Sequence, residues 1–166
     1  MENRTTDWSP VDFYRGLTER NKLAKEKHFV FAKVSGLQGM GDAVARMQST
    51  ANFVMVADNA AGYTELNNSP HTRRMNTVFI AMRHKLNDSD ARARCLNTIK
   101  ELHRQFLSKL IMEKTRLEEN AQYLDPRINL QEAPEHLIPG TAICMFEVAV
   151  DTYVDLSYNA NEWDDD

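Results

Sequence analysis

Long apolar runs are missing from this chain. None of its 166 residues falls in a stretch near the roughly 18–20 apolar residues that a membrane-spanning helix needs. The N-terminus from Met1 to Asp7 also lacks the apolar centre of a secretory signal, so the expectation is no membrane partner and assembly in a cytoplasm. Cysteine is scarce. Cys95 and Cys144 have no histidine pattern beside them, which excludes a zinc site and leaves either two buried free thiols or one disulfide. Basic excess is lacking too. With 20 Lys and Arg against 24 Asp and Glu, the net charge of −4 does not suit a nucleic-acid binder.

Catalytic patterns are equally thin. Gly36, Gly39 and Gly41 follow an apolar run as a phosphate loop would, but their spacing fits neither the dinucleotide fingerprint nor the P-loop, so they read as a flexible turn. No serine carries the flanking glycines of a nucleophile elbow. The histidines at 28, 71, 84, 103 and 136 sit on unlike elements, and His103 reads as a snorkelling or satisfied histidine on a helix flank. No nucleophile–base set, metal cluster or cofactor loop is expected, and the chain does not read as an enzyme.

What is present is a clear order of elements. Residues 1–8 are polar and expected to be loose. Ser9, Pro10 and Asp12 announce a helix that should run to about Lys25–Lys27. A run from His28 to Ser35, apolar on both faces, predicts a mostly buried strand. Asp42 can cap a short helix over 43–48, with Val44 and Met47 inward. Strands are predicted at Ala51–Ala57 and Met75–Met82. Between these two strands, residues 58–74 are polar and turn-rich, either a working loop or a protruding hairpin.

Asn87–Asp90 should cap the main helix. It is predicted from about Ser89 to Arg116, with Ala91, Cys95, Ile99, Leu102, Phe106 and Leu110 as its apolar stripe, widened by Leu96, Leu107 and Ile111. A long connection, 118–141, holds three of the five prolines. The pattern implies an α+β fold: a mostly antiparallel sheet of about four strands, a long helix packed on it and an N-terminal helix. Residues 9–158 form one domain, with 58–74 and 118–141 as long loops or arms and 159–166 as an acidic tail.

The strongest single signal lies between Ile143 and Tyr158. Cys144, Phe146, Val148, Val150, Thr152, Val154, Leu156 and Tyr158 alternate with Met145, Glu147, Ala149, Asp151, Tyr153, Asp155 and Ser157. That period predicts one long strand, greasy on one side and acidic on the other, about 45 Å long at about 3.3 Å per residue. Glu147, Asp151 and Asp155 recur about 13 Å apart along it, too far for any two to share a metal ion. They are either a solvated face or an acidic surface lining a channel or meeting a partner, with Tyr153 on the same row as a contact residue. Arg73 and Arg74 head a modest basic cluster that could pair with such a face on a neighbouring copy.

Taken together, the N-terminal helix, the strands around a polar mid-chain loop, the long helix and the last long strand resemble the tail terminator and head–tail connector (neck) proteins of tailed bacteriophages. The segments from Phe29 to Leu37, Thr77 to Arg83 and Val154 to Trp163 also have the texture of small proteins from phage-like elements. The resemblance lies in element order across residues 9–163 and transfers no individual site residue. It implies a non-enzymatic virion subunit, assembled in the host bacterial cytoplasm into a homo-oligomeric ring. Neighbouring connector or tail proteins would dock on that ring, and DNA would pass through its lumen without specific binding. An acidic lumen would suit that passage. The other class open to the sequence is a soluble α+β binding or adaptor module acting as monomer or dimer.

Overall fold

A computed structural model describes residues 7–35, 39, 41–43, 45, 52–58, 61–67 and 69–164. Two long strands form its centre, β4 (His71–Arg83) and β7 (Thr141–Tyr153). They pair antiparallel over their full length, from His71 opposite Tyr153 to Arg83 opposite Thr141. Shorter strands flank this ribbon end to end. On the β4 side, β2 (Asn52–Ala57) pairs with residues 78–81, and β3 (Ala61–Glu65) pairs with residues 71–75. On the β7 side, β5 (Gln122–Leu124) and β6 (Leu130–Glu132) occupy residues 150–152 and 144–146. Strand β1 (Phe29–Val34) lies parallel to β2 and completes a mixed sheet of seven strands among the described residues.

The expected α+β architecture with one long helix is therefore present, but the sheet has seven strands instead of about four. The additional ones, β3, β5 and β6, fall inside the stretches 58–74 and 118–141. Three to five residues each are too few to show a period of two clearly in sequence.

The helices over residues 10–20, 22–26 and 89–118 lie on one face, whereas helical Ala43 packs on the other. α1 (Pro10–Arg20) opens on Ser9, whose hydroxyl accepts from the Asp12 amide at 3.2 Å. The expected continuous helix to Lys27 breaks at Asn21, which is extended at ψ 131°. Its N–H bonds back to the Leu17 carbonyl, and its side-chain oxygen accepts from the Ala24 amide to start α2 (Lys22–Glu26). One residue thus ends one helix and caps the next. Asp88 caps the long helix α3 (Ser89–Glu118), accepting from the Ala91 amide at 2.8 Å.

The core forms where these helices meet the even row of β7. Cys144, Phe146, Val148 and Val150 pack with Val78 and Ile80 against Tyr14, Leu96, Ile99, Leu102 and Phe106. A second, smaller cluster lies on the opposite sheet face, where Phe53, Met55, Phe79, Ala81 and Ile143 are sealed with help from Ala133 and Ile138. Burial on both faces at that end explains the unbroken apolar runs of β2 and β4. Cys95 and Cys144 are free thiols, and burial pushes Cys144 up to about 11.

Several expectations are corrected. β7 stops at Tyr153, not near Tyr158: past that row the Val154 amide reaches the Pro70 carbonyl, and proline has no N–H to return the bond and carry the ladder on. β1 is an edge strand with only Phe29 and Val34 buried, since β2 is its one strand neighbour among the described residues. Ile111 is exposed, turned past the edge of the helix–sheet contact. Asp7 and Trp8 are engaged and not loose: Asp7 pairs with Arg74, and the Trp8 indole donates to Glu113. Gly39, Gly41, Asp42, Ala43 and Ala45 are helical, so Asp42 sits within helical residues instead of capping them. Gly36, Val44 and Met47, along with the rest of the expected 43–48 helix, lie outside the described residues.

His103 is a buried core residue, not a snorkelling one. Its ring lies tilted at 57° against Phe146 with centroids 4.4 Å apart, and its Nδ1 has no hydrogen-bond partner among the described residues. Burial lowers its pKa, so the folded state prefers the neutral ring. The unfolded chain then binds more protons once pH falls below its ordinary value of about 6.5, and stability must drop through that window. Urea melts of the native chain from pH 8 to pH 5 should show a decline beginning near pH 6.5, and His103→Leu should flatten it. An unchanged slope in that variant would assign the acid sensitivity elsewhere.

Candidate interaction surface

The face of the sheet away from the helices is divided. Its β2–β6 end is sealed by the smaller cluster, whereas its β3–β5 end is open among the described residues. Directly paired strand residues project on the same side, so the register alone builds the open end row by row. One row runs Tyr63, Arg73, Asp151, Tyr123 across four strands. The next outward row runs Glu65, His71, Tyr153.

Arg73 organises the first row. Its guanidinium donates to Asp151 at 3.0 and 3.2 Å, and its other terminal nitrogen donates to Asp125, just past β5. All three side chains are a fifth to a third exposed, giving a half-buried ion network that staples β5 to the β4–β7 ribbon. The hydrogen bond to Asp125 raises the Arg73 pKa, aided by the Asp151 charge. Asp125 is held below the usual carboxylate range, first by the Arg127 amide that its Oδ1 accepts and then by Arg73.

Around this ion-paired centre, one guanidinium shared by two carboxylates, stand three tyrosines. Tyr63, Tyr123 and Tyr153 are 53%, 54% and 56% exposed, and His71 packs edge-on to Tyr63 at 6.3 Å. Inward from them, a shallow cleft of about 450 Å³ is floored by Met75, Thr77 and Met145 and walled by Glu147 and Gln131. The arrangement offers aromatic and thioether surface around an ion-paired node, which is the chemistry of a contact face. Among the described residues no group of three metal-ligating side chains comes together, and no helix is long and apolar enough to cross a membrane.

The residues singled out from sequence separate here. Arg73, Asp151, Tyr153 and Glu147 share the open face. Asp155 does not, because it lies beyond the strand, where its Oδ1 accepts from the Ser157 amide. The expected acidic row is therefore absent: Asp151 is compensated by Arg73 and Asp155 has left the sheet. Arg74 points to the helical face, as the neighbour of Arg73 on a strand must, and meets Asp7 at 2.7 Å. Tyr63, Tyr123 and Asp125 were missed. Their signal was faint but present in the alternation of Gln122, Tyr123 and Leu124, of which only Tyr123 is exposed.

Gly62 makes this face possible. A Cβ there would meet the Arg73 carbonyl oxygen at 1.9 Å, a backbone atom that cannot move without parting β3 from β4. Gly62→Ala should cost about 1–3 kcal/mol and expose the β3 amides to hydrogen exchange. Arg73→Met, which leaves two half-buried carboxylates without their cation, should cost about 1–2 kcal/mol after allowing for solvent screening. The Asp125 share of that loss should hold above about pH 4 and fade as pH falls further and the carboxylate protonates in both states.

No protein-family model matches the chain, and no curated protein sequence matches it, so the reading of this surface rests on its own geometry.

Proposed function

We propose that the chain is a non-enzymatic structural subunit that works by docking to other protein surfaces. The assembly proposed is the head–tail connector or tail-completion ring of the tailed phages whose element order it resembles. The observation that carries the docking role is the open half-face, where three half-exposed tyrosines surround the Arg73–Asp125–Asp151 node. Half-exposed tyrosine is costly to leave in water and effective in contacts, because its ring supplies area and its hydroxyl stays satisfied at a rim. The outer edge of β3 adds unpaired strand backbone beside the same face among the described residues, a further means of addition. The two 13-residue strands give that face a stiff backing of the kind a ring wall needs.

An acidic pore wall through Glu147, Asp151 and Asp155 is not part of the proposal. Of the three, only Glu147 stands on that face without a cation beside it. DNA passage without specific binding needs only that the lumen carry no basic track, which the net charge of −4 favours.

Light scattering on the size-fractionated protein should give a mass above the monomer that rises with concentration, and electron microscopy of that fraction should show closed rings. Tyr63→Ser, Tyr123→Ser and Tyr153→Ser combined should reduce docking to other virion proteins or to like copies while moving the melting temperature by no more than about 2–3 °C, as expected for exposed positions. A chain that remains monomeric at every concentration overturns the ring, and one whose contacts survive the three serines overturns the tyrosine face.

A further inference from the structure

The helical layer carries a feature that the proposed function does not use. Between α1 and α3 runs a groove of about 690 Å³, with Phe13, Leu17 and Met112 contributing apolar surface. Arg20, Lys22, Lys109 and Arg116 stand around it. Glu113 is also in the lining but is committed, accepting from the Trp8 indole at 2.9 Å and from Arg116 at 3.0 Å. Arg20 donates to the Gly16 carbonyl of its own helix. Lys22 and Lys109 have no carboxylate partner among the described residues. The groove is thus apolar below and positively charged above.

The complementary surface lies at the other end of the same chain. Past β7, residues 154–164 run off the sheet, rooted by the Val154 amide on the Pro70 carbonyl at 3.0 Å. Asn159 accepts from the Asn161 amide at 3.1 Å and opens the short turn Ala160–Glu162 that presents Trp163. Leu156, Tyr158 and Trp163 are exposed. From residue 154 onward the sequence holds five acids, Asp155, Glu162, Asp164, Asp165 and Asp166, and no basic residue. Lengths also agree. From Gln105 to Arg116, α3 offers about 16 Å at about 1.5 Å per residue, and Leu156 to Trp163 spans at most about 23 Å before the turn shortens it.

We infer that the 154–164 arm of one copy docks in the α1–α3 groove of a neighbouring copy. Leu156 and Trp163 cover its apolar floor, and the arm carboxylates meet Lys22 and Lys109. Arm and groove are different surfaces, so the contact is head to tail and propagates into a ring or a chain. This inference rests on the self-assembling part of the proposed function, but it uses neither the tyrosines nor the Arg73 node. Its failure is therefore separable from failure of that face.

Two measurements on the full-length protein test it. The first titrates a fluorescein-labelled peptide of residues 154–166 with a chain whose own arm is disabled by Leu156→Ser and Trp163→Ser. Saturable binding is expected, weakened about tenfold by adding Lys22→Glu and Lys109→Glu, as the loss of two exposed ion pairs implies. Binding indifferent to those reversals overturns the groove assignment. The second mixes the arm-disabled chain with a chain carrying only Lys22→Glu and Lys109→Glu. Each alone should fail to form the arm contact, and the mixture should recover one contact per pair, read by energy transfer between donor- and acceptor-labelled chains. Absence of transfer in the mixture, with peptide binding retained, would mean that the arm, rooted on its own sheet, does not reach a neighbour's groove, and the neighbour-docking inference would fall. All substituted side chains are exposed or part-exposed, and unchanged circular dichroism melts verify folding.

Discussion

Among the described residues every other strand but one, and the long helix α3, takes its place from the antiparallel register between β4 and β7. Thirteen consecutive pairs fix which residues of β7 face the helices, and the period of two allows no compromise. A slip by one residue would turn Cys144, Phe146 and Val148 outward and bring Met145, Glu147 and Ala149 under Phe106 and Leu102. Both ends of the register are pinned. Arg73 grips Asp151 near one end, and at the other the His84 amide continues the ladder to the Gly140 carbonyl, in a turn that needs the positive φ of 72° glycine supplies. The flanking strands are short because each uses only part of an edge already set by this pair.

The same ribbon produces two unlike ends. Toward Arg83 and Thr141 the sheet is buried on both faces, so its residues are apolar without alternation and carry stability. Toward His71 and Tyr153 it is buried only on the helical face, and the far face is free to carry tyrosines, a cleft and an ion network. Interaction chemistry therefore sits on a surface whose backing is already paid for by the core beneath it. Val148 and Val150 hold the strand from below while Ala149 and Asp151 present the other side. Such division lets contact residues change without unfolding the domain.

Much of this was legible in the sequence, for a physical reason. The long helix declared itself through Asp88 and the spacing of Ile99, Leu102, Phe106 and Leu110, since each burial site recurs with the helical turn. The even row of β7 did so through its period of two. The parts that were not legible depend on partners distant in sequence. Asp151 looked like free acid until Arg73, 78 residues away, was placed opposite it. Asp155 looked like the next member of the row because alternation continues in sequence after the sheet has run out of strands to pair with. Three-residue strands such as β5 leave almost no pattern, although Asp125 beside it completes the node. Asn21 shows the converse: a good local cap can divide a helix whose apolar spacing continues across it.

Charge completes the picture. The whole chain carries −4, and the thirteen residues from 154 to 166 carry five acids, so the remainder balances at +1. The acidity that sequence alternation had suggested for a strand face belongs instead to the arm beyond it. On the sheet face Arg73 is shared between Asp125 and Asp151, and the exposed area is largely aromatic. The helical layer keeps Lys22 and Lys109 without a carboxylate partner among the described residues, beside an apolar groove. A nearly neutral body, an acidic, aromatic arm and a basic groove lie in one chain, and the proposed docking between copies rests on that complementarity. Screening by salt acts on the exposed arm charges far more than on the half-buried node, so the two surfaces answer to solution conditions independently. Under the proposed docking, that separation gives one small domain a firm aromatic face and a link between neighbours that salt can tune.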